Sequence, residues 1–407
     1  MAADVPAILV KSAADPGGER FAVGGRSAQA KSEVIFTTTE PGPGLSAAAQ
    51  TFTWRRVELD GVDGENAWDV CHALASQKFG AAGGKVAFAE PDLTQQWIYP
   101  RTTPPFAAAG ACKPKKPQSG RYPIGAGGDL WFRNTDHAGF DAVAAGAAPR
   151  IAHLDTGYDP NHDTLPRGLN RTLQKNFVGG DAGDATDQDG GVFVQEGHGC
   201  GTLAMLAGPP YGAAPDADVV PIRVADRVVL FKNSAIAKAM AYVLELCKDP
   251  ATFVDVITMS MGGLASQVWA EAVNQLYDTG VFVVTAAGNN FGNLPTRNIV
   301  FPARFRRVIA ACGVMADGSP YADLDRDLMA GNYGPNAMMS TAFSAFTPNV
   351  PWAVGGCKDL FHADGGGTSC ATPQIAAAAG LWIAKNRQAL AAYPQARMRV
   401  EAVRRAL

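Results

Sequence analysis

The feature that most constrains this chain is an alternation of short apolar runs with helix-spaced stretches, from about residue 129 to residue 407. Residues 150–154, 218–224, 253–259, 281–285 and 308–314 are apolar and strand-length. Between them, 234–247 and 268–277 carry apolar residues at helical spacing. Such a βαβα rhythm buries its apolar surface as a mostly parallel sheet covered by helices on both faces, an α/β fold. In sheets of this kind, ligands sit beyond the carboxyl ends of the strands.

The first 100 residues read differently. Apolar runs such as Ala7-Ile8-Leu9-Val10 and Phe52-Thr53-Trp54 suggest strands, and 66–79 has helical spacing through Trp68, Val70, Leu74 and Phe79. Lys85-Val86-Ala87-Phe88-Ala89 reads as a further strand. A small α+β domain over 1–100 is expected. Residues 101–128 are broken by Pro104, Pro105, Pro114, Pro117 and Pro123 and carry Lys113, Lys115, Lys116 and Arg121, which reads as a linker or exposed loop. The larger domain then spans 129–407.

Charge and apolar content exclude several functions. With 35 Lys and Arg against 38 Asp and Glu, the net charge is −3, which gives no electrostatic reason to expect nucleic-acid binding. No apolar run approaches the roughly 20 residues that span a bilayer, so no membrane partner is expected. The N-terminus shows neither a basic n-region nor an apolar h-region, which leads to the expectation of a cytoplasmic protein, with a trimmed leader as the alternative. The seven cysteines are scattered without a CxxC pair, so neither a disulfide scaffold nor a zinc site is expected. No nucleotide-binding glycine motif is found, and no cofactor is expected.

Three residues stand where chemistry is placed. Asp155 ends an apolar strand before Thr156-Gly157, though alone it also reads as a turn or cap aspartate. His198 lies between Gly197 and Gly199 ahead of a run of small apolar residues, which also fits a loop histidine before a helix. Ser369 opens an Ala-rich helix and sits in the positive field of its N-terminus, which also fits an N-cap serine. The Asp…His…Ser order with these contexts resembles the subtilisin-like (S8) serine peptidases. The resemblance rests on Asp155-Thr156-Gly157, His198-Gly199 with Thr202, and Gly367-Thr368-Ser369-x-Ala371-Thr372-Pro373. Ala286-Ala287-Gly288-Asn289 and Ser260-Met261-Gly262-Gly263 add two more matches, each after a strand.

The resemblance implies a serine endopeptidase acting on protein or peptide substrates. Ser369 is then the nucleophile, His198 the general base and acid, and Asp155 the group that orients the imidazole. Asn289 and the Ser369 N–H meet the oxyanion, and Ser260, Met261, Gly262 and Gly263 bind substrate main chain. Residues 1–100 resemble, more weakly, the propeptides of this family, small α+β domains that block the cleft and act as an intramolecular inhibitor; an accessory domain that packs on the catalytic one is the alternative. Asn289 taken alone is also a turn residue, and Ser260 to Gly263 a tight turn.

Rival hydrolase geometries fail on chain order. None of the six histidines follows Ser369, which excludes the α/β-hydrolase order with that nucleophile, and no H-E-x-x-H is present. The family's calcium loop after the histidine helix has little room before the next strand, so no metal is expected there. Asp181, Asp184, Asp187 and Asp189 form an acidic loop whose spacing matches no EF-hand. Cys200 and Cys370 flank the site and read as packing residues or as thiols that make the site sensitive to mercurials. The family's Ala-Pro-Gly ahead of the serine is not evident. The competing function is a catalytically silent protein that holds a peptide in the same cleft.

Overall fold

The computed structural model describes residues 7–41, 48–62, 65–80, 84–96, 112–116, 118, 148–187, 197–209, 211–228, 230–323 and 329–407. Two compact units divide the chain: Met1–Gln95 with Lys232–Ala241 and Ser266–Ala272, and the remainder.

The first unit holds β1 (Ala7–Ser12), β2 (Arg20–Val23), β3 (Arg26–Glu40), β4 (Gln50–Asp60), α1 (Ala67–Ser76), β5 (Lys78–Phe79) and β6 (Gly84–Pro91). The strands form an antiparallel sheet in the order β2-β3-β4-β1-β6-β5. Ile8 and Val10, Phe21 and Val23, and Val57 and Leu59 are two apart, so each pair lies on one sheet face. That face meets Val70 and Leu74, four apart on α1, to make the core. Asn66 starts α1 by accepting the Trp68 N–H. The helix ends before Phe79, which the sequence pattern included in it. Gln77 leaves the helical conformation and its side chain bonds both the N–H and the C=O of Ala22, freeing Lys78–Phe79 to pair as a strand.

Beyond β7 (Thr94–Gln96) the chain carries β8 (Arg150–Asp155), β9 (Lys175–Asn176), α2 (His198–Ala207), β10 (Asp218–Arg223), β11 (Leu230–Lys232), α3 (Asn233–Leu246), whose start up to Ala241 belongs to the first unit, and β12 (Val256–Met259). It continues through α4 (Gln267–Thr279), β13 (Phe282–Ala286), β14 (Asn289–Phe291), β15 (Ile309–Val314), β16 (Met329–Gly331), β17 (Ala342–Phe346), β18 (Val350–Ala353) and β19 (Phe361–Gly365). Three helices close it: α5 (Thr368–Lys385), α6 (Arg387–Ala391) and α7 (Ala396–Ala406). A seven-stranded sheet runs β17-β15-β13-β12-β8-β10-β9, with every neighbouring pair parallel. Every residue of β12 and β13 is buried, as expected for strands covered on both faces. One face packs on α2, α5 and α7 through Leu203, Leu206, Ile375 and Val403. The Ala-rich composition of α5 permits this close approach. A Cβ on Gly380 would stand 3.0 Å from Ile151.

The cysteine expectation needs a correction. Cys112 and Cys357 form a disulfide across 245 residues of sequence, while Cys71, Cys200, Cys247, Cys312 and Cys370 are free. The bond belongs to a stitched segment. The Ala363 N–H donates to Lys115 O, the Lys115 N–H to His362 Nδ1, and Gln118 and Asn349 exchange two hydrogen bonds. Proline and lysine content suggested a linker or exposed loop; residues 112–116 are exposed, and Lys115 and Gln118 are in addition held by hydrogen bonds that composition does not report. The rest of 101–128, and the start of the larger domain at 129, lie outside the described residues.

Alkylation of the denatured, unreduced protein is expected to modify five cysteines, rising to seven after reduction; seven without reduction would disprove the disulfide. Intact mass reads the count.

Candidate active site

Three neighbouring parallel strands bring the site loops together. Asp155 is the last residue of β8, Ser260 follows β12, and Asn289 opens β14 just past β13, and β13, β12 and β8 are consecutive in the sheet. Their carboxyl ends therefore open side by side.

His198 begins α2, and its Nδ1 lies 2.8 Å from Asp155 Oδ1. That distance requires two backbones in contact. A Cβ on Gly199 would stand 2.0 Å from Gly157 O, so only hydrogen fits there. Gly157 itself has φ 113, a conformation that glycine adopts at little cost. Thr156 locks the junction by accepting the Gly199 N–H on its hydroxyl. Asp187, which the sequence grouped with an acidic loop, accepts hydrogen bonds from the Gly197 N–H and the Thr156 hydroxyl and so fixes the entry to α2. Asp189 lies outside the described residues.

Asp155 has no exposed surface. Burial alone raises its pKa, but the His198 ring, its hydrogen bond, His153 and the Thr156 N–H together hold the carboxyl below the usual range. His153 is also buried, with its pKa pushed down to about 4 chiefly by desolvation, so the ring is neutral at neutral pH. The sequence reading passed over it because an apolar strand gives no signal for a histidine facing a carboxylate.

Ser369 is the second residue of α5, where helix N–H groups lack intrahelical partners. The Thr368 N–H donates to Asn289 Oδ1 at 3.0 Å, and the Thr368 hydroxyl lies 3.3 Å from the same oxygen. A backbone N–H can only donate, so Asn289 must turn its oxygen to Thr368 and its NH2 outward. Among the described residues neither Asn289 Nδ2 nor the Ser369 N–H has a hydrogen-bond partner. Gly367, at φ 94, leaves room for that amide: a Cβ there would stand 3.1 Å from Nδ2.

The Ser369 hydroxyl donates to Ser260 O at 3.3 Å, and among the described residues no hydrogen bond joins Ser369 to His198. The Ser260 hydroxyl in turn donates to Ser369 O at 3.1 Å. Pro373 explains why that carbonyl is open. It stands four residues on inside α5, and without an N–H it cannot take the helical bond.

The four substrate-binding candidates separate. Gly263 exchanges both backbone hydrogen bonds with Phe301, which leaves no N–H there for a ligand. Met261 is buried, and Ser260 engages Ser369. Among the described residues Gly262 has no hydrogen bond on either backbone group, and a Cβ on it would meet Phe301 O at 2.7 Å. Trp352, from β18, stacks edge-on against His198 at 5.3 Å and fills the notch left by Gly201. Cys200 and Cys370 are buried, with their thiols pushed up by desolvation (Cys200 to about 12), which favours packing over reactivity. Thr347-Pro348-Asn349 precedes β18 with Asn349 at φ 63, a conformation Asn tolerates in place of glycine. Among the described residues no group of three or more His, Cys, Asp or Glu is placed to hold a metal, and no helix is long and apolar enough to cross a membrane.

The carboxyl edge of the parallel sheet thus carries a carboxylate, an imidazole and an alcohol, with the Asn289 amide beside the start of α5. Residues 146–407 match the model of the subtilase family, and the chain belongs to that family. It is 29% identical over 248 residues to a cuticle-degrading serine protease of Orbilia oligospora, covering 60% of this chain and 51% of that protein. It is 29% identical over 247 residues to a subtilisin-like protease of Coccidioides posadasii (60% and 54%) and 27% over 254 residues to thermitase of Thermoactinomyces vulgaris (61% and 79%). The chain thus spans about half the length of the two fungal relatives. The cytoplasmic expectation is overturned. Two relatives are named for degrading cuticle, a material outside the cell, and the Cys112–Cys357 disulfide is a bond that persists in oxidising surroundings.

Gly199→Ala is expected to lower turnover at least about a hundredfold, since a Cβ there drives α2 off the Gly157 backbone, and misplacement by an ångström costs that much. Steady-state kinetics beside a thermal melt check it; near-parent turnover would refute the contact argument. A second expectation concerns pH. His153 has a depressed pKa in the folded state, so its contribution to stability is full above about 6.5 and is lost as pH falls toward about 4. His153→Leu should therefore lose less stability than the parent across that window in denaturant titrations; parallel losses would refute it.

Proposed function

We propose that this chain is a serine endopeptidase that hydrolyses peptide bonds through Asp155, His198 and Ser369. The observation that carries the reading is the pair of unpartnered donors, Asn289 Nδ2 and the Ser369 N–H, beside a serine at a helix N-terminus. Such donors favour the negative oxygen of a tetrahedral intermediate. The Asp155–His198 bond supports the same reading, since it selects the tautomer whose Nε2 accepts a proton.

Ser369 Oγ turns from the Ser260 carbonyl to His198 Nε2 as substrate enters. It attacks the scissile carbonyl carbon while His198 takes its proton. His198 returns that proton to the leaving amine, and water then repeats the sequence on the acyl-enzyme. The Ser369 N–H and Asn289 hold the oxyanion, with Thr368 keeping the Asn289 amide in that orientation. Gly262 offers its free backbone groups to an extended substrate chain, an edge pairing that uses main chain alone.

The N-terminal unit fits an intramolecular inhibitor in this reading. It carries its own sheet and core. Within it Glu90 accepts the Gln267 and Val268 N–H groups and the Ser266 hydroxyl, and Asp92 accepts the Ser234 N–H and hydroxyl. Both carboxylates thereby satisfy N–H groups at the starts of α3 and α4, which favours holding residues 1–95 on these helix ends until cleavage beyond them.

A fluorophosphonate probe tests the reading. The parent is expected to label at Ser369, Ser369→Ala not at all, and Asn289→Ala to turn over a peptide about 10²–10³ times more slowly than the parent. Removal of residues 1–95 should raise labelling of the parent. Absence of labelling in every form would favour the silent peptide-binding protein.

A further inference from the structure

Two residues outside the three catalytic ones point at Asp155. Thr202 stands four residues after His198 on α2, so both side chains face the same neighbour. His153 stands two residues before Asp155 on β8, so both share one strand face. One helix face and one strand face thus place four polar side chains in a buried layer. Thr202 Oγ1 is 3.1 Å from Asp155 Oδ2 and 2.8 Å from His153 Nε2. His153, Asp155 and Thr202 are all essentially unexposed.

The Thr202 hydroxyl has one hydrogen and four acceptors in reach. A helical threonine by default returns it to the preceding turn, and the carbonyl oxygens of His198 and Gly199 lie at 3.3 and 3.2 Å. Asp155 Oδ2 is the charged competitor, and a hydrogen bond to a carboxylate is roughly twice as strong as a neutral one. Oδ1 already accepts from His198 and the Thr156 N–H, whereas Thr202 is the side-chain donor to Oδ2 among the described residues. His153 settles the direction. With its proton on Nε2 it donates to Thr202 Oγ1, and the hydroxyl hydrogen passes to the carboxylate. With Nε2 bare, the ring would compete for that hydrogen and leave a fully buried oxygen short of a donor.

We propose that Thr202 and His153 are positioning residues of the active site: His153 Nε2–H donates to Thr202 Oγ1, and Thr202 donates to Asp155 Oδ2, so that Oδ1 is held toward His198. The inference rests on the reading of Asp155, His198 and Ser369 as the catalytic residues. The chain of donors acts in sequence, with His153 working only through Thr202.

The experiment measures the rate of fluorophosphonate labelling of Ser369, which needs no knowledge of the natural substrate, with the low-field NMR resonance of the His198 Nδ1 proton read alongside. All variants are prepared in the same form as the parent. Thr202→Val should slow labelling about ten- to a hundredfold, the value of one hydrogen bond to a charged group, and shift the resonance. Thr202→Ser should restore both. His153→Leu should slow labelling less, and the double variant His153→Leu/Thr202→Val should match Thr202→Val alone. Should Thr202→Val fail to fold by thermal melt, Thr202→Ala replaces it, and His153→Leu beside Thr202→Ser carries the comparison. Parent-like labelling and resonance in Thr202→Val, or effects that multiply in the double variant, would overturn the proposal. Labelling of Ser369→Ala would instead remove its premise, the catalytic reading itself.

Discussion

A charged carboxylate with no exposed surface is the constraint around which the second unit is arranged. Burying such a charge is costly unless opposite charge and hydrogen bonds replace the water it loses. Asp155 meets that demand with donors from two directions: the His198 ring and the Thr156 N–H on one oxygen, and Thr202 on the other. Neither His198 nor Thr202 can reach unless α2 starts within contact of the turn after β8. The missing side chains of Gly157 and Gly199 are thus the condition for the Asp155–His198 bond, because ordinary residues would hold the two backbones apart.

The parallel sheet supplies the rest of the geometry. β8, β12 and β13 are adjacent, so their ends deliver Asp155, Ser260 and Asn289 to one edge in consecutive positions. α5 then lies against the sheet through alanines and Gly380, which lets its N-terminus approach that edge. An α5 rich in leucine would stand further off. The Ala-rich run is therefore tied to the placing of Ser369, through packing distance more than through helix propensity.

Much of this was legible in the residues and some was not. The strand–helix alternation exposed the α/β sheet because buried parallel strands are apolar throughout, a pattern that needs no tertiary information. Asp155, His198, Ser369 and Asn289 could be read because glycine, threonine and small residues around them are required by close contacts, and such requirements show as local motifs. The Cys112–Cys357 bond could not, since the partners lie 245 residues apart and neither is in a recognisable spacing. The bonds from Lys115 and Gln118 to Asn349, His362 and Ala363 are hidden for the same reason, since they join residues 231 or more apart and leave no local motif. His153 was hidden by its setting, since a histidine in an apolar strand gives no signal until Asp155 is seen beside it, and Thr202, though part of the motif after His198, does not show in sequence which carboxylate it meets. The pairing of Gly263 with Phe301 was equally hidden, since a glycine after a strand does not show in sequence which main chain it meets.

The reciprocal Ser260–Ser369 hydrogen bonds connect the helix chemistry to the Ser369 hydroxyl, the nucleophile in the proposed reading. Pro373 removes one helical donor from α5, and the freed Ser369 carbonyl is taken by the Ser260 hydroxyl. That bond fixes the Ser369 backbone and with it the direction of its N–H, while the weaker 3.3 Å bond holds the hydroxyl itself. The distinction matters for catalysis. An oxyanion donor must be in place before reaction, because its reorganisation would cost energy at the transition state. The nucleophile, by contrast, must be able to move from a resting acceptor to the base. A proline in the second turn of a helix, ordinarily a defect, here separates the two requirements: it anchors the main chain of Ser369 and leaves its side chain a single neutral bond to break.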